Sequence, residues 1–139
     1  MSQAAVFGPM LLLAGWTFAV LLLVPIYRFR AGFAGHVDYD DFKYGESDRV
    51  PPQVRIPNRA FMNLLQVPVL FYVVCFTMFL ARGVTESFVY LAWIYVALRI
   101  LHSLVHLSYN KVKHRLMLFA ASNVVAVAMW VQAIVHLAR

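Results

Sequence analysis

Charged residues are scarce in this chain of 139 residues, and acidic ones are the scarcest. Only 13% of the residues are Asp, Glu, Lys or Arg, whereas 63% are hydrophobic and the mean hydropathy is +0.72. A soluble domain has about 25% charged residues, and a soluble helical bundle keeps a polar stripe on each helix. The composition therefore excludes an ordinary soluble bundle and indicates an integral membrane protein.

Cysteine is nearly absent as well, since Cys75 is the only one. A single cysteine cannot form a disulfide within the chain, so cysteine usage gives no information about the redox compartment. The chain also lacks strictly alternating segments of about ten residues, which transmembrane strands need. Helices, which satisfy their own backbone hydrogen bonds in lipid, are the architecture that remains.

Four long apolar runs take up most of the chain. Each reaches the roughly 20 residues that a helix needs to cross about 30 Å of hydrocarbon. The runs are Met1–Tyr27, Ala60–Ala81, Ser87–Tyr109 and Leu116–Ala138. They predict an all-α integral membrane protein with one domain over 1–139, a four-transmembrane-helix bundle. Its spans are expected at about 5–27, 60–81, 87–108 and 116–138, with a polar loop at 28–59.

Basic residues cluster in the first loop and in the turn before the fourth span. The opposite side of the membrane receives only Arg82 and Arg139. The positive-inside rule places the two basic loops in the cytoplasm and both termini outside it. Anionic lipid headgroups are the expected partner of the basic face, and no feature predicts nucleic-acid binding.

The first loop and the second span contain residues that predict local structure. The loop mixes acids, bases, tyrosines and prolines, which predicts an ordered cap. Its segment Asp38–Asp41 lacks the rest of a calcium-loop pattern, so we interpret it as a solvated acidic turn. Pro57 suits a helix start, and Pro68 predicts a kink because its ring removes one backbone hydrogen bond.

The third run carries a polar stripe inside the membrane. At about 100° per residue, Arg99, His102 and His106 fall on one narrow face of a helix. A cation two turns inside the membrane is costly if it faces lipid. This face must therefore look into the protein or into a wet cavity.

A second polar stripe, on the second span, consists of Arg59, Asn63 and Gln66. Both stripes lie toward the cytoplasmic ends of their helices, and Arg115 precedes the fourth span at a similar depth. We therefore expect Asn63, Arg99 and Arg115 to face one cavity that is open to the cytoplasm. No acidic residue lies in any of the four runs, so a ligand, a lipid or water has to supply the missing negative charge.

Three interpretations of these polar residues remain open. Several arginines and amides suit an anionic ligand that bears carboxylates. A network of Asn, Gln, Ser and His side chains also fixes helix packing in membranes. His102 and His106, one helical turn apart, have the spacing of a metal or haem pair, but no Asp, Glu or Cys sits beside them. We favour the anionic ligand and expect no metal.

Two segments resemble the MAPEG family (membrane-associated proteins in eicosanoid and glutathione metabolism), which includes microsomal glutathione transferases. In the second span, Arg59, Asn63, Gln66 and Pro68 follow the family's order of Arg, Asn, Glu and Pro, with Gln in place of Glu. The segment ALRILHSLVH is similar to the family's third helix, and Arg115 falls where the family keeps a catalytic arginine. The resemblance covers the whole chain.

The resemblance implies a bacterial-type member of the inner membrane that forms a homotrimer and binds glutathione between subunits. Arg115 would stabilise the glutathione thiolate, because a nearby cation lowers the pKa of a thiol. Arg28 or Arg30 would add a carboxylate contact from the adjacent subunit. The remaining residues that would bind the tripeptide are Arg59, Asn63, Gln66, Arg99, His102 and His106.

Departures from the family pattern keep two functions open. Phe119 stands where better-studied members have a tyrosine near the thiol, and phenylalanine cannot donate a hydrogen bond to sulfur. The first function is a glutathione-dependent transferase or peroxidase acting on small lipophilic electrophiles from the bilayer. The second is a non-catalytic membrane subunit that binds a lipid or a larger membrane complex.

Overall fold

The computed structural model describes residues 2–139, most of which are helical. The helices are α1 (Phe7–Phe33), α2 (Pro52–Leu65), α3 (Pro68–Leu80), α4 (Glu86–Leu107) and α5 (Val112–Leu137), with short 3-10 helices at Gln3–Val6 and Tyr39–Phe42. α2 and α3 together form one apolar span. Residues 2–139 thus contain four spans that are long and apolar enough to cross a membrane, and they contain no strand. The predicted all-α architecture is confirmed.

Three helix boundaries differ from the prediction by at least four residues, and two of them shorten the polar loop. α5 begins at Val112 and not near residue 116, so Arg115 lies inside the helix. α1 continues beyond Tyr27 to Phe33, and α2 begins at Pro52, inside the segment that we predicted as loop. Proline suits the first position of a helix because its missing N–H needs no partner there. Pro57, which we predicted at the helix start, lies inside α2. The loop therefore covers only residues 34–51.

The second span is broken directly before Pro68. α2 ends at Leu65, and Gln66 has a non-helical backbone with φ of −82° and ψ of −97°. Pro68 has no N–H to donate to the carbonyl of Leu64, and it begins α3 instead. The kink that the proline predicts is confirmed. The break leaves backbone carbonyls at the end of α2 without helical partners.

α4 is the central helix and packs against α1, α2 and α5. Its Phe88 and Tyr95 are fully buried, and Tyr95 stacks on Phe71 of α3 with ring centroids 4.6 Å apart. Trp16 of α1 donates through Nε1 to Ser103 Oγ of α4 at 2.6 Å. The outer faces of the helices expose leucine, valine and phenylalanine side chains. Helices that are apolar on all sides are typical of membrane spans.

Residues 34–51 form an ordered cap on one end of the bundle, as their composition predicts. The Asp41 carboxylate accepts hydrogen bonds from the backbone N–H of Asp38 (2.8 Å) and from the Ser47 hydroxyl (2.7 Å). These bonds hold the pKa of the Asp41 carboxyl below its usual value. The predicted solvated acidic turn is wrong for Asp41, which is only 7% exposed because its carboxylate organises the cap, whereas Asp40 is exposed.

Arg55 connects the cap to α2. Its guanidinium donates to the backbone carbonyls of Ser47 (2.7 Å) and Val50 (2.8 Å). The buried side chains of Val37, Val50 and Val54 form a small apolar cluster against the end of α1. The cap is therefore attached both by hydrogen bonds from the Arg55 side chain and by apolar packing.

Candidate functional site

A cavity of about 500 Å³ lies between α2, the end of α4 and the start of α5. Ligand pockets in proteins usually measure about 300–1,000 Å³. The cavity is lined by Pro52, Arg55, Ile56, Arg59, Met62, Asn63, Gln66, His106, Asn110 and Arg115. Five of the predicted site residues are therefore brought together here, namely Arg59, Asn63, Gln66, His106 and Arg115.

The wall of this cavity is cationic. Arg55, Arg59 and Arg115 contribute guanidinium groups, and none of the lining residues is acidic. Among residues 2–139, Glu86 is the only acid in any α-helix, and it lies at the opposite end of α4 from His106. Guanidinium groups bind carboxylates and phosphates through paired hydrogen bonds. The cavity therefore suits an anionic ligand.

α2 supplies most of the polar side of the cavity. Arg59 and Asn63 lie four residues apart and share one face of α2, and Gln66 follows directly after the end of the helix and also lines the cavity. Asn63 Nδ2 donates to the carbonyl of Arg59 at 3.0 Å. Gln66 lies in the break of the span, and its side chain is exposed. The predicted stripe on this helix is thus present at the cavity.

Arg115 reaches the cavity from the first turn of α5. Its Nη1 donates to Asn110 Oδ1 at 2.8 Å, and its Nε is buried without a hydrogen-bond partner. Arg115 lines the cavity, and a guanidinium at a cavity wall is able to bind an anion there. The geometry of Arg115 is compatible with the thiolate-stabilising role that the resemblance implies.

Arg99 is fully buried, with 0% of its surface exposed, and it does not line the cavity. Its Nη2 donates to the backbone carbonyl of Asn63, close to the C-terminal end of α2. A helix end leaves such carbonyls without helical partners, and its dipole favours a cation. The prediction that Arg99 faces the shared cavity is therefore wrong. The helix end provides part of the negative partner that we expected from a ligand, a lipid or water.

Phe119 of α5 lies beside Arg99 and His102. Its ring centroid is 5.7 Å from Arg99 Cζ and 6.0 Å from the ring centroid of His102. An aromatic face attracts a cation within about 6 Å. Nε and Nη1 of Arg99 still have no hydrogen-bond partner among residues 2–139. Arg99 and His102 thus form a buried layer behind the cavity wall.

His102 and His106 are both buried, one turn apart on α4, and of the two only His106 lines the cavity. Their ring centroids are 6.2 Å apart, and His106 Nδ1 is buried without a partner. Among residues 2–139, no group of three His, Cys, Asp or Glu side chains is close enough to hold a metal ion. The two histidines alone do not provide a complete ligand set.

Arg28 and Arg30 are not brought to this cavity within one chain. Arg28 pairs with Glu46 at 3.5 Å, stacks on the Phe42 ring at 4.6 Å, and lines a separate cavity of about 580 Å³ between α1 and the cap. Arg30 is exposed in the last turn of α1. A contribution of either residue to the site of an adjacent subunit stays a prediction.

Two polar lining residues are additional to the predicted site set. Arg55 lies four residues before Arg59 on the same face of α2, but we predicted this segment as loop. The proline at position 52, a good first residue for a helix, was the signal that could have extended the stripe. Asn110 extends the stripe of α4 in sequence, and it contacts Arg115 only because the chain turns there.

Comparison with known protein families finds a match over most of the chain. The model of the MAPEG family matches residues 6–135, which is nearly the whole chain. The chain belongs to the MAPEG family. This MAPEG protein is therefore an integral membrane protein with four spans, in a family that includes glutathione transferases and related members. No curated protein and no solved structure matches it significantly.

Proposed function

We propose that this MAPEG protein binds glutathione in the cavity between α2, α4 and α5 and activates its thiol for reaction with lipophilic electrophiles. The observation that carries the proposal is the position of Arg115, which lines a cavity that holds two other arginines and no acid among its lining residues. Glutathione carries two carboxylates and a thiol that becomes anionic. A cationic cavity wall matches both features.

The proposed chemistry depends on the charge of Arg115. A cation close to sulfur stabilises the thiolate, lowers the thiol pKa and raises the fraction of nucleophile. The thiol proton leaves to water, and the sulfur forms a bond to the electrophilic carbon while the leaving group departs. With a lipid hydroperoxide, the thiolate sulfur bonds to the terminal oxygen as the O–O bond breaks, which gives a sulfenic acid and, after protonation, the lipid alcohol. A second glutathione then displaces that oxygen as water and forms the disulfide.

The other polar residues would orient the tripeptide. Arg59 and Asn63 on α2, and Gln66 just after its end, line the cavity and offer donors and acceptors to the carboxylates and peptide groups of glutathione. His106 adds a ring nitrogen from α4. Arg99 would support the site from behind through the Asn63 carbonyl, and both Arg99 and His102 pack against Phe119.

The proposed assembly is a homotrimer in a bacterial inner membrane, with both basic loops in the cytoplasm. Arg28 or Arg30 of one subunit would complete the site of its neighbour. The two residues lie in the last turns of α1, on the same end of the bundle as the cap. The lipophilic substrate would enter laterally from the bilayer. Glutathione would enter from the cytoplasm.

A second function is supported by Phe119. Its ring lies 6.0 Å from the ring of His102, so the layer behind the cavity contains an apolar group that has no hydroxyl to donate to sulfur. A non-catalytic subunit that binds a lipid or a larger membrane complex needs no such donor. Density in an experimental structure of the purified protein separates the two functions. A tripeptide in the cavity supports the transferase, whereas a lipid headgroup or a foreign subunit supports the second function.

Calorimetric titration of glutathione into the detergent-purified protein tests the proposal. We expect saturable binding that Asn63→Ala weakens about tenfold, the effect of losing one good hydrogen bond to a charged group. Arg115→Ala should weaken binding less at low pH than at high pH, because the thiolate forms only at high pH. Arg139→Ala, at the far end of α5, is the matched control and should bind normally. Absence of saturable binding in the wild type would refute the proposal.

A further inference from the structure

Asn110 turns the chain between α4 and α5 in a backbone conformation that few residues adopt. Its φ of 51° lies in the left-handed region, which favours glycine and asparagine. Its backbone N–H donates to the carbonyl of Val105 at 2.8 Å and so closes the end of α4. Its side chain accepts a hydrogen bond from Arg115 Nη1, also at 2.8 Å. One residue therefore reverses the chain and contacts a cation of the cavity wall.

Arg115 occupies an unfavourable position for a cation. It lies in the first turn of α5, where the helix dipole presents its positive end. That turn contains no acidic residue, and Arg59 adds a like charge to the same cavity. Repulsion by the N-terminal end of α5 and by Arg59 would turn an unrestrained guanidinium outward, toward solvent. The Asn110 side-chain oxygen holds Nη1 against this tendency.

The neutrality of the Asn110 amide is important. A carboxylate at this position would hold the guanidinium equally well but would offset the charge that a bound anion experiences. An amide oxygen fixes the direction of the guanidinium and leaves its full charge available. We infer that Asn110 is a positioning residue, which aims Arg115 into the cavity without neutralising it. The inference rests on the proposed function, in which this charge stabilises the glutathione thiolate.

Two substitutions separate the side chain of Asn110 from its backbone role. Asn110→Gly keeps the left-handed turn and removes the amide, whereas Asn110→Asp keeps an acceptor and adds a negative charge. The readout is the ultraviolet absorbance of the bound glutathione thiolate as a function of pH, on the full chain in detergent. Asn110→Gly should lower the ratio of bound thiolate to bound thiol about tenfold, which corresponds to a rise of about one unit in the pKa of the bound thiol. Asn110→Asp should lower it at least as far.

A double variant decides whether Asn110 acts through Arg115. In an Arg115→Ala background, Asn110→Gly should cause no further loss of thiolate, because the group that it positions is already gone. Equal losses in both backgrounds would overturn the inference, and so would an unchanged thiolate fraction in Asn110→Gly. Asn110→Gly should have the same thermal unfolding temperature as the wild type, which would show that the turn itself is intact.

A measurement without glutathione tests the positioning separately from the proposed function. In protein with isotope-labelled arginine, the side-chain N–H signal of Arg115 is assigned by its loss in Arg115→Lys. Its hydrogen exchange should be slow in the wild type and several-fold faster in Asn110→Gly. Equal exchange in both proteins would overturn the positioning role. Faster exchange together with absent glutathione binding would support the positioning and refute the proposed function alone.

Discussion

The guanidinium of Arg99 donates to the backbone carbonyl of Asn63, so that a fully buried cation of α4 caps the end of α2. This contact explains how the bundle accommodates an arginine without an acidic partner in any neighbouring helix. The break before Pro68 frees carbonyls at the end of α2, and the helix dipole adds negative potential there. Because Asn63 lines the cavity, the contact also connects the core of the bundle to the candidate site.

Replacement of Arg99 by leucine should therefore destabilise the fold. The Asn63 carbonyl would lose its charged donor, a change that costs about 1–3 kcal/mol. Arg99→Lys keeps a donor and should lose less. Thermal unfolding of the purified variants in one detergent measures both effects. A leucine variant more stable than the wild type would show that burial of the charge outweighs the contact, and it would contradict this interpretation.

The cap should be stable in mild acid and should open only at lower pH. Hydrogen bonds from Asp38 and Ser47 hold the pKa of the Asp41 carboxyl below its usual value of 3.8. For a lowered pKa, the stabilisation is present above 3.8 and is lost as the pH falls through the folded value. Hydrogen exchange of residues 38–47, corrected for the intrinsic pH dependence, should increase only in that lower range.

The substitution Asp41→Asn provides the control for this pH dependence. It should increase hydrogen exchange in the cap at neutral pH and remove most of the acid transition, because the ionised acceptor is gone. Asp40→Asn, at an exposed neighbouring position, should leave both unchanged. An acid transition that persists in Asp41→Asn would assign the pH sensitivity to another group.

Cysteine labelling tests the proposed topology. Tyr44 is 93% exposed in the cap, and Glu86 is exposed at the start of α4, at the opposite end of the bundle. An impermeant thiol reagent should label Tyr44→Cys only from the cytoplasm and Glu86→Cys only from outside. The buried native Cys75 should contribute little background. Labelling of both positions from the same side would refute the topology.

The oligomeric state is a separate prediction. Arg28 and Arg30 lie away from the cavity of their own chain, so they reach a glutathione site only if that site belongs to a neighbour. Native mass spectrometry in a mild detergent should give the mass of three chains. Double substitution of Arg28 and Arg30 by alanine should weaken glutathione binding while the trimer persists. A monomer or dimer as the main species would contradict the assembly.

The sequence was sufficient for the architecture because each span satisfies its own backbone and is apolar on nearly all sides. It was less informative where prolines mark helix ends. Pro52 is the first residue of α2 and Pro57 lies inside it, although the composition of this segment predicts a loop. For this reason Arg55 was assigned to the loop and not to the cavity.

The sequence also did not predict which group the Arg99 side chain contacts. Helical phase correctly placed it on the face that carries His106, but phase cannot tell whether a side chain ends in a cavity or on a backbone carbonyl. That outcome depends on the break before Pro68, which creates the acceptor. The asparagine at position 110 suits a turn with positive φ, but its identity does not predict that its side chain contacts Arg115.

The most direct test of the proposed function is the pH titration of glutathione bound to the wild-type protein, followed by thiolate absorbance. We expect the bound thiol to have a pKa below that of free glutathione. In Arg115→Ala, the pKa of the bound thiol should return toward the free value. A bound thiol that titrates like free glutathione, or a pKa that Arg115→Ala leaves unchanged, would contradict the account.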